Sequence, residues 1–335
     1  MSAPSLLPLR SAACLRRHPE PVLARHHVPF PATCIFNAGV CKFAGRYVMV
    51  FRNDVGEWNS PTFHTTNLGL AFSDDGIHWD VQPAPVWDAT DPEILRATDG
   101  DVVRVYDPRL IPIDGKCYIC FACDTRHGLR GGVGVTDDFR SFKVLSLSVP
   151  DNRNMVLFPE KVNGKYARLE RPMPVYSRGR DRFDVWFSDS PDLAYWGNSH
   201  LVAAVEHFPF ANDKIGPAAP PVRTAEGWLT TVHCVDRDTT REKRGWETRW
   251  QKRYTAGLML LDLNEPWKVI GLSREPLIAP ETDAERFGFR DDVIFPGGMI
   301  LEDGGEVKIY YGAADTVEAL ATAHIDDLLA LCEPV

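Results

Sequence analysis

Long apolar runs are missing from this chain: none approaches the roughly 18 residues that a bilayer crossing needs. The stretch from Met1 to Arg17 has an apolar patch at Leu6-Leu7 but no hydrophobic segment ahead of its arginines, so no secretory signal is read. Positive charge is also short. The net charge of -9 and a pI near 5.6 exclude nucleic acid or an anionic membrane as the principal partner. Eight cysteines in 335 residues are too few for a disulfide framework, and reduced thiols in the cytoplasm are expected. Cys117, Cys120 and Cys123 have the spacing of a metal-ligand set, but they lie in a run that reads as a buried strand. Alternation places Cys120 on the opposite face from the other two, and no second pair completes a site. Buried structural thiols are expected. Interdomain linkers and low-complexity tracts are absent as well. What remains, 44% hydrophobic and 25% charged, is the composition of a globular enzyme.

Two local patterns alternate along the chain. The first is a strand, a glycine turn and a second strand. It occurs at Phe36–Asp54 around Ala44-Gly45, Tyr106–Asp124 around Asp114-Gly115, and Pro159–Pro172 around Asn163-Gly164. It returns at Gly216–Cys234 around Glu226-Gly227 and at Phe295–Asp315 around Gly304-Gly305. Such dipeptides between apolar runs are strong hairpin signals. The second pattern is a strand ending at an acid, Asp74, Asp137, Asp189, Asp262 or Asp326, the first four followed by an aromatic; these acids are 63, 52, 73 and 64 residues apart. An all-strand repeat of this length implies radially arranged sheets rather than a parallel α/β sheet or a shorter-period solenoid. The expectation is an all-β, five-bladed β-propeller at 31–335, preceded by an N-terminal extension at 1–30. A short helix near Asp326–Cys332 should close the last blade. The segments Val55–Asn67, Gln82–Arg104, Met173–Arg182 and Asp236–Arg253 read as loops; the last carries Trp246 and Trp250 and could form a sugar platform.

In a propeller the first strand of each blade lines the central channel. Its start is where polar groups converge, which singles out Asn37, Asp107, Asn154, Lys214 and Asp292. Asp107 lies in Val105-Tyr-Asp-Pro-Arg-Leu110, where the proline should hold it in an extended backbone. Arg109 can pair with it or hold a substrate oxygen beside it. Arg153, Arg171, Lys214 and His233 arrive from several repeats, a set suited to an oxyanion such as phosphate.

The chain resembles the mannoside phosphorylases of glycoside hydrolase family 130 from about Phe36 to Leu329. The motifs carrying the resemblance are Phe36-Asn-Ala-Gly-Val40, Val50-Phe-Arg-Asn-Asp54, Tyr106-Asp-Pro-Arg109 and Asn152-Arg-Asn154 with Val156-Leu-Phe-Pro159. They continue as Lys161-Val-Asn-Gly-Lys-Tyr166, Arg171-Pro172, Lys214-Ile-Gly216 and Tyr311-Gly-Ala-Ala-Asp-Thr316. The resemblance implies a five-bladed propeller and inverting phosphorolysis of a β-mannoside to α-mannose 1-phosphate, a hexosyl transfer to phosphate. It implies Asp107 as general acid, acting through a sugar hydroxyl. Arg153, Asn154, Arg171, Lys214, His233 and Tyr254 fall on positions that bind phosphate, and Asn37, Arg52 and Asp315 on positions that hold the mannosyl ring. Inorganic phosphate is the co-substrate, and no metal or organic cofactor is implied. One departure is clear: Glu57–His64 lacks the additional arginine of the better-known branch, leaving His64 as its substitute.

The chemistry is coherent on its own. An inverting hydrolase needs an acid and a base carboxylate roughly 6.5–9.5 Å apart, whereas phosphate is already a nucleophile and needs a cationic pocket. Expected partners are small oligosaccharides, β-1,4-linked before β-1,2-linked, and neither nucleic acid nor membrane; homo-oligomerisation stays open. A mannoside or arabinoside hydrolase using Glu160 or Glu170 is the alternative, and a non-catalytic glycan-binding propeller the third reading.

Overall fold

The computed structural model describes residues 9–58, 60, 63–179, 182–241 and 250–335. Five antiparallel sheets are arranged as the blades of a β-propeller. Blade I runs Cys34–Phe43, Arg46–Val55, Thr65–Ser73 and Asp80–Val81. Blade II runs Arg104–Ile113, Lys116–Thr125, Gly128–Thr136 and Lys143–Leu147. Blade III is Asn152–Leu157, Tyr166–Pro172, Val185–Ser190 and Gly197–Ala203. Blade IV is Lys214–Pro217, Trp228–Arg237, Lys252–Leu261 and Val269–Ser273; blade V is Ile294–Leu301, Glu306–Ala313 and Val317–His324.

The turns follow from their residues. Ala44-Gly45, Asp114-Gly115 and Asn163-Gly164 all have positive φ at both positions, the geometry whose twist matches two paired strands. Blade IV differs: Val222–Arg223 pairs with Trp228 and Leu229, and Thr224 Oγ1 accepts from the amides of Glu226 and Gly227. The acidic turns after the third strands also have a shared cause. Asp75, Asp138, Asp192 and Asp262 each accept two backbone amides through one carboxylate oxygen. In the first three blades the acting acid is thus not Asp74, Asp137 or Asp189 but one to three residues later, placed by Ser73, Thr136 and Ser190, whose hydroxyls accept the amide three residues on. The segment 82–104 is not all loop. Asp91 caps a short helix, Pro92–Ala97, which buries Ile94 between blades I and II.

Each pair of neighbouring blades shares one apolar cluster. Val50 and Phe121 lie in the I–II cluster, Ile111 and Leu157 in II–III, and Phe187 and Trp228 in III–IV. Leu258 and Ile309 lie in IV–V, and Met49 and Tyr310 in V–I. The aromatics after the acidic turns, Trp79, Phe142, Trp196 and Trp267, pack against these clusters. Cys117 and Cys123 face blade I while Cys120 faces blade III, and all eight cysteines are unpaired.

The chain's two ends do not lie where they were expected. Arg16–Arg17 pairs with Thr322 and Ala321 as the outer strand of blade V, and Leu23, fully buried, bridges Glu318. Residues 9–30 are therefore part of the propeller, because an unpaired edge of blade V would leave a row of backbone groups unsatisfied. The C-terminal helix is Ile325–Ala330, and Cys332–Pro334 then adds to the edge of blade IV rather than closing blade V. Among the described residues no helix is long and apolar enough to cross a membrane. Replacing Leu23 with Ala should destabilise the fold by about 2–5 kcal/mol, read as a lower urea midpoint with an unchanged slope.

Candidate active site

The inner strands carry bulges. Register shifts fall between Phe36 and Gly39, Tyr106 and Arg109, Arg153 and Val156, and Pro296 and Gly298. At these breaks Asn37, Asp107 and Asn154 have φ of 52, 52 and 56°. Asp107 is therefore not extended, as its proline suggested. The bulge sets its backbone, and Asp and Asn are the side chains that best tolerate this region. The three side chains turn into one cavity of about 310 Å³ at the channel mouth. The inner strands approach closely here: a Cβ on Gly297 would lie 1.9 Å from Ala38 O.

Blades I, II and V supply one side of the cavity. Asn37 Nδ2 donates to Asp107 Oδ1 at 3.0 Å, and Arg52 Nη1 to the same oxygen at 3.2 Å. Arg52 is itself held by Asp54, with Nη2 at 2.7 Å. Arg290 Nη1 donates to Asp315 Oδ2 at 3.0 Å. Burial pushes the Asp107 carboxyl upward, but Arg52, Arg109, the Asn37 bond and Arg153 overcome it and hold the group below the usual carboxylate range. Burial dominates at Asp315 and raises it, against Arg290 and Arg52.

Blades III and IV supply the other side: Arg153, Asn154, Arg171, Lys214, His233 and Tyr254, all lining the cavity. Burial and then the charges of Arg171, Lys252 and Arg153 pull Lys214 well below its ordinary value. Burial and Arg153 bring Arg171 down to about 9, which leaves it charged at neutral pH. Burial also opposes charge on Arg153, yet Tyr106, Tyr254 and Asp107 outweigh it. His233 is fully buried, and burial with the neighbouring Arg171 keeps it neutral. Its Nδ1 donates to Pro217 O at 3.2 Å, which leaves Nε2 to accept from Arg171 Nη1 at 3.3 Å. The Nε atoms of Arg153 and Arg171 and the Oδ1 of Asn154 are buried with no hydrogen-bond partner among the described residues. Cations gathered in one place, with the buried Nε donors of Arg153 and Arg171 unused, are chemistry suited to a small oxyanion.

Not every expected residue converges here. Arg109 does not line the cavity: its guanidinium donates to Ala218 O at 2.6 Å, Pro108 O at 2.8 Å and Pro296 O at 3.2 Å, tying inner strands of blades II, IV and V. Asp292 is also outside the lining; its carbonyl accepts the Tyr254 amide. His64 is exposed, and its amide donates to Val55 O. Glu160 pairs with Arg223 at 3.0 Å with half its side chain exposed, and Glu170 is turned to the other face of blade III, where it binds Arg168 at 2.7 Å. Trp246 lies outside the described residues, whereas Trp250 lines the cavity with its ring stacked 5.8 Å from that of Tyr254. Arg104, Arg290, Phe63 and Phe289 line it too and were not singled out from sequence. Arg104 and Arg290 stand at or just before the starts of inner strands, which was the available signal.

The axial cavity of this propeller thus sets a cation cluster and a pair of carboxylates around one space, the equipment of an enzyme's active site. Comparison with known proteins makes the family explicit. A family model described as β-1,4-mannooligosaccharide phosphorylase matches residues 16–334, and the chain belongs to this family, glycoside hydrolase family 130. It is 32% identical to a β-1,4-mannooligosaccharide phosphorylase of Ruminococcus albus, covering 92% of this chain and 88% of that protein. A β-1,2-mannobiose phosphorylase of Listeria innocua is 29% identical over 78% of this chain and 67% of its own length. Among solved structures, a complex of the Listeria innocua β-1,2-mannobiose phosphorylase with β-1,2-mannobiose superposes with a TM-score of 0.78. At 24% identity it covers 95% of this chain and 98% of the other and shares its fold.

If blades III and IV bind an oxyanion, inorganic phosphate should raise the melting temperature, with about 2.7 kcal/mol of stabilisation at roughly 100 times its Kd. In Lys214→Ala, losing a charge-assisted contact worth about 1.5–3 kcal/mol should weaken phosphate at least tenfold. A thermal-shift titration reads both values without requiring turnover.

Proposed function

We propose that this enzyme carries out inverting phosphorolysis of β-mannosides, β-1,4-linked mannobiose or mannooligosaccharides first, releasing α-mannose 1-phosphate. The observation that carries this reading is the set of Arg153, Arg171 and Lys214 lining one cavity with Asp107, with the buried Nε atoms of Arg153 and Arg171 lacking a partner among the described residues. Phosphate held by Arg153, Asn154, Arg171 and Lys214, with His233 and Tyr254 at its edge, attacks the anomeric carbon through one oxygen. The bond from that carbon to the acceptor oxygen breaks, and the proton needed by the leaving oxygen comes from Asp107, relayed by a sugar hydroxyl. Asn37, Arg52 and Asp315 hold the mannosyl ring, with Arg290 fixing Asp315.

The protonation of Asp107 follows from the electrostatics. In the unliganded enzyme, Arg52, Arg109 and Arg153 keep this buried group ionised. A bound phosphate offsets Arg153 and places negative charge nearby; both changes raise the pKa of Asp107 and so favour the protonated form that the reaction needs. The named activities of the relatives agree with this chemistry. The acids lining the cavity, Asp107 and Asp315, are each paired with an arginine, Arg52 and Arg290, which favours phosphorolysis over a free carboxylate base there. The unpaired thiols fit a reducing compartment, and the cytoplasm is the proposed location.

Incubated with β-1,4-mannobiose, the enzyme should form mannose 1-phosphate only with phosphate present, and the reaction should run in reverse. Free mannose released equally without phosphate would identify a hydrolase. Asp107→Asn should lower kcat on unactivated mannobiose by about 10²–10⁴-fold with little change in melting temperature. An activated leaving group should recover part of that loss.

A further inference from the structure

Blade III has a second worked face behind the catalytic one. In its ladder Arg153 stands opposite Arg171, and both line the catalytic cavity, whereas Asn152, Arg168 and Glu170 line a separate cavity of about 320 Å³ at the rim of the II–III interface. Trp186, paired with Glu170, and Trp196, from the turn that follows, supply its half-buried aromatic surface. The charged floor is internally satisfied. Arg168 Nη2 meets Glu170 Oε2 at 2.7 Å, its Nε donates to Ser188 at 2.9 Å, and its guanidinium lies 4.0 Å from the centre of the Trp196 ring. Asn152 Nδ2 donates to the same Glu170 oxygen at 2.7 Å, but Asn152 Oδ1 has no partner among the described residues, although the residue is only 7% exposed.

A paired floor of this kind attracts neither a free cation nor a free anion. It offers tryptophan surface beside one unfilled acceptor, Asn152 Oδ1. A neutral ligand with apolar C–H faces and hydroxyl donors matches both features, and that is a pyranoside. We infer that this cavity is an accessory saccharide site that holds a second molecule of a mannooligosaccharide. The choice of mannose rests on the function proposed above; the saccharide chemistry rests on the cavity itself.

The test uses β-1,4-mannotetraose without phosphate. Titration calorimetry on the whole protein should give two equivalents bound, and the indole N–H resonance of Trp186 should shift in a ¹H–¹⁵N spectrum. Trp186→Ala should bind one equivalent while keeping its melting temperature and, on mannobiose, a kcat/KM within about twofold of the parent. A single equivalent in the parent with an unmoved Trp186 indole would overturn the site, as would two equivalents in the variant. Should Trp186→Ala fail to fold, Trp186→Leu and the parent's indole shift decide the matter. If the enzyme binds mannotetraose at Trp186 but shows no phosphorolysis, the accessory site stands and the proposed reaction falls.

Discussion

Five sheets packed around one axis leave almost no room between their innermost strands, and this crowding governs the rest of the molecule. Gly39 and Gly297 sit where backbones of neighbouring blades nearly touch. Arg109 fills the gap that remains, binding carbonyls contributed by blades II, IV and V with a guanidinium that is almost wholly buried. Bulges in the strands let a few side chains turn into the channel mouth, and the residues at those bulges are Asn37, Asp107 and Asn154. The constraint that closes the ring is thus also the device that delivers polar groups to one cavity.

Charge is divided within that cavity by blade. Blades I, II and V pair each carboxylate with an arginine, whereas blades III and IV gather cations that depress one another. Holding Arg171 and Lys214 together in a desolvated place is unfavourable until a counter-anion arrives. In the reaction proposed above, binding the anion and preparing Asp107 become one event, because Arg153 acts on both. A neutral His233 serves this arrangement as a spacer: it accepts from Arg171 without adding a further charge.

Much of this was legible in the sequence because strand period, turn dipeptides and the position of polar residues at strand starts are local signals. The five hairpins and the residues Asn37, Asp107, Asn154 and Lys214 came from those signals. Arg153, Arg171 and His233 stood out as cations spread over several repeats, and Tyr254, Arg52 and Asp315 came through family resemblance. Errors arose where the deciding partner is distant in sequence. Arg109 looked like a substrate ligand because the carbonyls that occupy it belong to Ala218 and Pro296. Residues 9–30 looked detached because their pairing partner is the strand Val317–His324. Arg290 was missed because its value lies in reaching Asp315, and the extended backbone inferred for Asp107 gave way to a bulge that the local sequence does not encode.

The pairing of Arg16–Arg17 with Val317–His324 has a consequence for how the protein comes into being. A ribosome delivers blades I to IV in order, but blade V cannot be finished by its own residues. Its outer strand, Arg16–Arg17, precedes blade I in the chain, whereas its third strand, Val317–His324, follows blade IV. Asp315 and Arg290 belong to that blade, so the cavity is complete only once blade V has formed. Folding of blade V therefore requires a long-range closure between the segment that precedes blade I and the strand that follows Glu306–Ala313.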